Sequence, residues 1–367
     1  MIRNRLTAYG TLATLILPIA MGCLGREETI RISRDGAVTI ALRYEGSADD
    51  MKTADALPSD NSGWDVTTIA KKEGDKGNSD EKLVLTSERT FAPGEVLPTN
   101  YAGDNDPDAD LVLQFPTTLR IERRPDGVYY SFHRVYTARR WAYVQHWNDV
   151  LFDDDIKQLT EKPAEELTRD EQAEIIQAFA GVEACKQIEF AKTALLECEP
   201  NHRPETWLLA RRALLDVYEN EYNHFDRLIE LCEDLSEDDR NECFEREGNR
   251  ILGEGYTALV DSLQKEAGFS ADRIAKFERA YKRAERYYKI TGETGGHLFE
   301  IHVAMPGKIV AHNGDEIDTD DDDNVSTVTW QFVGNAFRDR PHELLVVSRT
   351  TDGLDHRSKG TTHSHGR

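Results

Sequence analysis

Positive charge is in short supply: 45 Lys and Arg stand against 68 Asp and Glu, giving a formal charge of -23. A surface with that surplus repels nucleic acid and anionic headgroups at long range, which argues against a nucleic-acid-binding role. Long apolar runs are missing after Gly25, so no membrane span is expected beyond the extreme N-terminus. Cysteine is scarce, five in 367 residues with no Cys-x-x-Cys pair, and this removes the close-spaced ligand sets of structural zinc sites. Motifs of catalysis are missing as well. No Gly-x-Ser-x-Gly elbow, His-Glu-x-x-His pair or Gly-rich phosphate loop occurs, and the reading is of a non-enzymatic protein without a cofactor.

What is present begins at the first residue. Arg3 and Arg5 precede a stretch from Leu6 to Gly22 that is apolar or small apart from three threonines and a tyrosine. A charged n-region followed by an apolar h-region marks an export signal. The stretch ends in Ala20-Met21-Gly22-Cys23, which resembles the lipobox of bacterial lipoproteins, with small Gly22 before the cysteine that takes the lipid. An uncleaved anchor is the rival reading. Against it stand Pro18 and a length short of the ~20 residues a spanning helix needs. The expectation is a signal peptide over residues 1–22, a lipid such as palmitate on Cys23, and a body in the bacterial cell envelope outside the cytoplasm. Its partner there is the membrane, reached through the N-terminal lipid.

From Glu28 to about Ala138 the pattern has period two. Val38, Ile40, Leu42 and Tyr44 alternate with smaller or polar residues, and Asp35-Gly36 supplies a tight turn after Ile30 and Ile32. Further strands are predicted over Trp64–Ala70, Leu83–Phe91, Leu111–Phe115, and a hairpin of Thr118–Arg123 with Val128–Thr137. At about Arg139 the period becomes helical and stays so for some 150 residues. Leu208, Arg211, Leu215 and Tyr218 are read as one helical face, and Ile274, Phe277, Tyr281, Ala284 and Tyr288 as another. Strands then return at Phe299–Met305, Val328–Phe332 and Glu343–Arg349. Three strands make a weak sheet on their own, so they are expected to complete the N-terminal one. The predicted class is α+β: a mainly antiparallel β-sheet domain from residues 23–138 and 295–350, interrupted by an antiparallel helical bundle over 139–294. A polar, disordered tail over 351–367 is expected to end the chain.

One further pattern lies in the returning strands. His302-Val303-Ala304-Met305-Pro306-Gly307-Lys308, then Asn313-Gly314, then Val328-Thr329-Trp330, resembles the Pro-Gly, Asn-Gly and Thr-Trp pattern of the LppM-like lipoprotein domain. Cys23, the Asp35-Gly36 hairpin and Gly63-Trp64 match its earlier features. The resemblance covers two pieces of the chain and leaves the helices unexplained. It implies a membrane-tethered sheet domain that contacts lipid or lipid-like molecules, with no catalytic residues.

Candidate sites follow. For an apolar or lipid-like ligand held against the sheet, Tyr130, Phe132, Phe299, Ile301 and Trp330 are the candidate lining. Trp330 has an ordinary reading as a core anchor. Outside the cytoplasm, Cys185, Cys198, Cys232 and Cys243 suggest two disulfides, with free thiols and a metal site as the alternatives. If Cys185 and Cys198 share a helix they stand ~20 Å apart and need cross-helix partners. Asp104, Asp106, Asp108 and Asp110, and Asp318, Asp320 and Asp322, alternate in two acidic loops that lack the EF-hand Gly and Glu and are read as solvated turns rather than calcium sites. His356, His363 and His365 sit in the tail. Arg139, Arg140, Trp141, Tyr143 and Trp147 form a basic, aromatic junction, read either as a membrane-interface contact or as a packed boundary helix. The functional alternatives are a ligand-binding module, an envelope protein docking a protein partner through its helices, and, at lower weight, an unrecognised hydrolase.

Overall fold

The computed structural model describes residues 24–47, 51, 57–72, 81–102, 109–163, 166–222, 231, 237–320 and 324–351. The predicted signal peptide, Cys23, Cys232, Asp104, Asp106, Asp108, Asp322 and the three tail histidines lie outside the described residues. The protein is α+β; the described residues form six helices between two groups of strands and two mostly antiparallel sheets. Two compact units form, one of residues 24–140 with 290–351 and one of residues 141–289.

The strands of the first unit are β1 (Gly25–Ile32), β2 (Val38–Ser47), β3 (Asp65–Lys72), β4 (Glu81–Phe91), β5 (Thr117–Arg124) and β6 (Gly127–Tyr136) before the helices. After them come β7 (Leu298–Pro306), β8 (Lys308–His312), β9 (Glu316–Asp320), β10 (Val325–Val333) and β11 (His342–Thr350). Seven strands pair in the order β3-β4-β2-β1-β7-β10-β9, and four in the order β5-β6-β11-β8. Each sheet thus mixes strands from both ends of the chain. The pairing of β1 with β7 is parallel, joining Glu28 to Ile301 and Ile30 to Val303 in register.

Alternation explains the layering. Every second residue of β2, of β7 and of β6 from Tyr130 on is buried, and one core cluster takes Ile30, Ile40, Phe299 and Val303 from the larger sheet and Phe132 and Val346 from the smaller. Gly307 sits between β7 and β8 with a φ of 83°, in the left-handed region that glycine adopts without strain. There the chain leaves one sheet and enters the other. Asn313 holds the next turn: its Oδ1 accepts from Trp330 Nε1 at 3.0 Å and from the Leu345 amide at 2.8 Å.

Three details differ from the sequence pattern. Leu111–Phe115 is irregular chain rather than a strand; its backbone bonds go out singly, Phe115 N to Thr99 O and Thr137 N to Gln114 O, while Leu113 and Phe115 are fully buried. β8 and β9 flank the Asn313-Gly314 turn where no strands were expected, because both are short and exposed and β9 is acidic. Asp318 and Asp320 therefore stand on a strand rather than in a turn.

The helical unit runs through α1 (Ala142–Leu151), α2 (Asp154–Thr160), α3 (Arg169–Cys198), α4 (Pro204–Tyr222), α5 (Glu237–Lys265) and α6 (Ala271–Thr294), the last turn of which enters the sheet unit. Thr168 caps α3: its hydroxyl accepts from the Glu171 amide while the Glu171 carboxylate accepts from the Thr168 amide. All five residues of the predicted α6 face are buried. On α4 the buried line is Ala210, Leu214 and Tyr218, whereas Leu208 is exposed, so the expected face is rotated by one or two residues. Among the described residues no helix is long and apolar enough to cross a membrane.

Candidate functional site

The five residues expected to line a ligand site all lie in the core of the sheet unit. Phe132 and Ile301 are fully buried, Phe299 is 1% exposed, and Tyr130 and Trp330 are 3% exposed, all in the core cluster. Phe299 stacks on Phe332 at 5.1 Å, and its edge meets Tyr136 and Phe337 within 6 Å. Tyr130 spends its hydroxyl on Arg34 O at 2.8 Å. Both sheets send aromatics into this one layer, where the five residues pack among the protein's own side chains.

Within that layer lies a charged cluster. Strand alternation turns Arg26 and Glu28 of β1 inward, in phase with Ile30 and Ile32, and turns Arg134 of β6 inward between Phe132 and Tyr136. Glu28 Oε1 accepts from Arg134 at 2.6 Å and from the Tyr101 hydroxyl at 2.5 Å, and Oε2 lies 3.4 Å from Arg26. Arg134 Nε donates to Thr117 Oγ1 at 2.8 Å. The Arg26 guanidinium lies 5.0–5.7 Å from the ring centres of Tyr101, Phe299, Phe115 and Tyr44, a range in which ring quadrupoles attract a cation. Burial pushes the Glu28 carboxyl up, but Arg134, Arg26 and the Tyr101 hydroxyl outweigh it and leave it below the ordinary carboxylate range. Tyr101 is held well above the usual phenol range, by burial first and the Glu28 charge second. The cluster is buried, with the Tyr101 hydroxyl protonated and the Glu28 carboxylate ionised.

The outer face of the same sheet is polar and carries a cleft of about 420 Å³. Register aligns two rows across β3, β4, β2 and β1: Thr67, Thr86, Arg43 and Glu27 in one, Asp65, Glu88, Ala41 and Thr29 in the other. Short Ala41 and Thr29 leave a trough between longer side chains. Arg43 lies 3.8 Å from Glu27 and is also paired with Glu45. Asp65 and Glu88 stand directly opposite each other, and neither has an ion-pair partner among the described residues.

Farther along this face His302 Nδ1 and Thr329 Oγ1 are 3.0 Å apart, and His302 Nε2 is 3.4 Å from Glu300. The order hydroxyl, imidazole, carboxylate is that of a nucleophile, base and orienting acid. The surroundings do not complete it: the three residues sit on the paired strands β7 and β10, where backbone amides are committed to the ladder and are not free to stabilise an oxyanion. This is a cross-strand polar ladder.

The remaining candidates separate. Cys185 and Cys198 share α3 and are free thiols, which corrects the expectation of two disulfides: thirteen residues along one helix keep them apart, and no described cysteine faces either. Burial pushes the Cys185 thiol up to about 11. Cys243 is buried and has its bonded partner outside the described residues. No group of three or more acidic, His or Cys side chains among the described residues could hold a metal. At the junction, Arg139 is buried with Nε donating to Thr291 Oγ1 at 2.7 Å, and Trp141 is buried too, which places both in packed interior rather than at a membrane interface.

Comparison with known proteins finds no matching family model, no similar curated protein and no similar solved structure. Functional argument therefore rests on this chain's own residues.

Sequence reading missed the buried cluster and the cleft. Arg26, Glu28 and Arg134 had a signal in their phase with flanking apolar residues. The cleft had none, because its rows exist only through strand register.

Proposed function

We propose that the protein is an exported, lipid-anchored lipoprotein of the cell envelope that acts without catalysis as a docking protein, working through its outer surfaces. The observation that carries this reading is the packing of Tyr130, Phe132, Phe299, Ile301 and Trp330 against one another and their neighbours in the sheet unit. An apolar ligand would have to displace side chains that close-packing holds in place, at a cost of several kcal/mol for each large residue. The lipobox-like Ala20-Met21-Gly22-Cys23 supports the anchor, and the resemblance to the LppM-like domain supports a tethered sheet unit over 23–138 and 295–350. The acidic composition suits a body held off an anionic bilayer by charge and presented to partners.

Labelling cells with an alkynyl fatty acid tests the anchor, with Cys23→Ala expected to lose the label and membrane retention. Native mass spectrometry of the mature protein released in mild detergent tests the docking reading. The expected mass is that of the lipidated chain alone; a stoichiometric lipid-like adduct that survives Cys23→Ala would restore the ligand-carrier reading.

A further inference from the structure

We propose that the outer face of the seven-stranded sheet docks an extended, basic segment of a protein partner at the cleft between β1 and β3. This deepens the docking reading and rests on it, by naming the surface and the partner's chemistry.

Like charges directly opposite on neighbouring strands destabilise a sheet. Here Asp65 faces Glu88 across β3 and β4, and Glu27 faces Glu300 across β1 and β7. Three carboxylates, Glu27, Asp65 and Glu88, border the cleft against one guanidinium, Arg43, which Glu45 also engages. A bound cation relieves this repulsion, so binding recovers what folding loses there.

Size and shape choose the occupant. Glu88 and Glu27 stand on strands two apart, roughly 10 Å across the sheet, and alternate side chains of an extended chain are about 7 Å apart. Two Lys or Arg arms of one extended segment reach both sides of the trough, above the short side chains of Ala41 and Thr29. Thr67 and Thr86 offer hydroxyls along the same row. Exposed ion pairs are worth about 0–1 kcal/mol each. A small cation meeting only these carboxylates would be held weakly, while a segment running across the strands also meets Glu300 on β7 and Glu316 on β9, which continue the same two rows. The formal charge of -23 speeds the approach of a basic partner.

The test uses the full chain and a fluorescein-labelled octapeptide of alternating Lys and Thr, followed by anisotropy at low and near-physiological salt. Asp65→Asn with Glu88→Gln is expected to weaken binding by about tenfold or more, while the thermal midpoint holds or rises as the like-charge pair is removed. Asp154→Asn with Asp155→Asn, an equal charge loss on α2, is expected to leave binding within about twofold. Equal binding by the cleft variant, or equal loss in the α2 variant, overturns the proposal, the latter by showing general attraction to an acidic protein. Displacement by spermine at matched concentration overturns it in favour of a small polyamine site. None of these outcomes depends on the anchor or the bare native mass, so this proposal can fail while the docking reading stands.

Discussion

Glu28 of β1 and Arg134 of β6 meet at 2.6 Å, both with side chains wholly buried and 106 residues apart in sequence. One carboxylate thus ties the larger sheet to the smaller. With Arg26 on its other oxygen, the core holds two guanidiniums and one carboxylate. Desolvating such groups costs several kcal/mol per ion, and their mutual attraction offsets this only when all three are present.

Removing the shared partner is therefore the damaging change. Glu28→Ala should lower unfolding free energy by about 3–5 kcal/mol, since it strands two buried guanidiniums. Replacing Arg26, Glu28 and Arg134 together with Met, Leu and Met should restore stability to within about 1–2 kcal/mol of the parent or exceed it. Urea denaturation of the three proteins checks the order.

Acid should weaken the sheet unit through the same residue. The Glu28 carboxyl sits below its ordinary value when folded, so its contribution is complete above the ordinary carboxylate range and is lost as pH falls through the folded value. Urea midpoints from neutral pH to about pH 3 should decline, and Glu28→Gln, less stable at neutral pH, should show a shallower decline. In the helical unit, Glu171 is held down to about 2 by Lys162 and by the Thr168 amide and hydroxyl. Its NMR titration should lie well below that of an ordinary glutamate.

Gly307→Ala should be among the costliest single-atom additions in the sheet unit. A methyl there would lie 2.2 Å from Arg349 O at a φ of 83°. The backbone strain alone is about 1–3 kcal/mol, and the clash with a carbonyl oxygen adds to it. Gly94→Ala shares a positive φ but meets nothing within 4 Å, so it should cost only the strain. Comparing their thermal midpoints separates the two effects.

Thiol chemistry distinguishes the cysteines. Cys185 and Cys198 should both be alkylated in denaturant without reductant, as read by peptide mass spectrometry. In the folded protein Cys185 should react slowly near neutral pH, because its pushed-up thiol leaves little thiolate. Protection of either residue in denaturant until reductant is added would restore the disulfide expectation.

Much of the architecture was legible because periodicity reports burial. The α6 face of Ile274, Phe277, Tyr281, Ala284 and Tyr288 is buried as its spacing requires, and the hairpins at Asp35-Gly36 and Asp126-Gly127 form between the expected strands. Failures came where polarity and burial part company. Arg26 and Glu28 went unread although they share the inward parity of Ile30, and Thr168-x-x-Glu171 was an unread capping signal. For the ligand-lining residues the sequence stops short for a different reason: alternation says that Phe299 and Trp330 face inward, as they do, but it cannot say how the opposite sheet fills the space they face.

The parallel seam between β1 and β7 also governs how the molecule can be made. Residues 25–31 are synthesised early, yet their second neighbour, 298–304, follows only after every described helix. Until then β1 presents a bare hydrogen-bonding edge to the periphery of a half-finished sheet, the kind of edge that recruits other chains. A chaperone that holds this edge should thus favour folding, and truncation anywhere before Leu298 should produce aggregate rather than a smaller folded body.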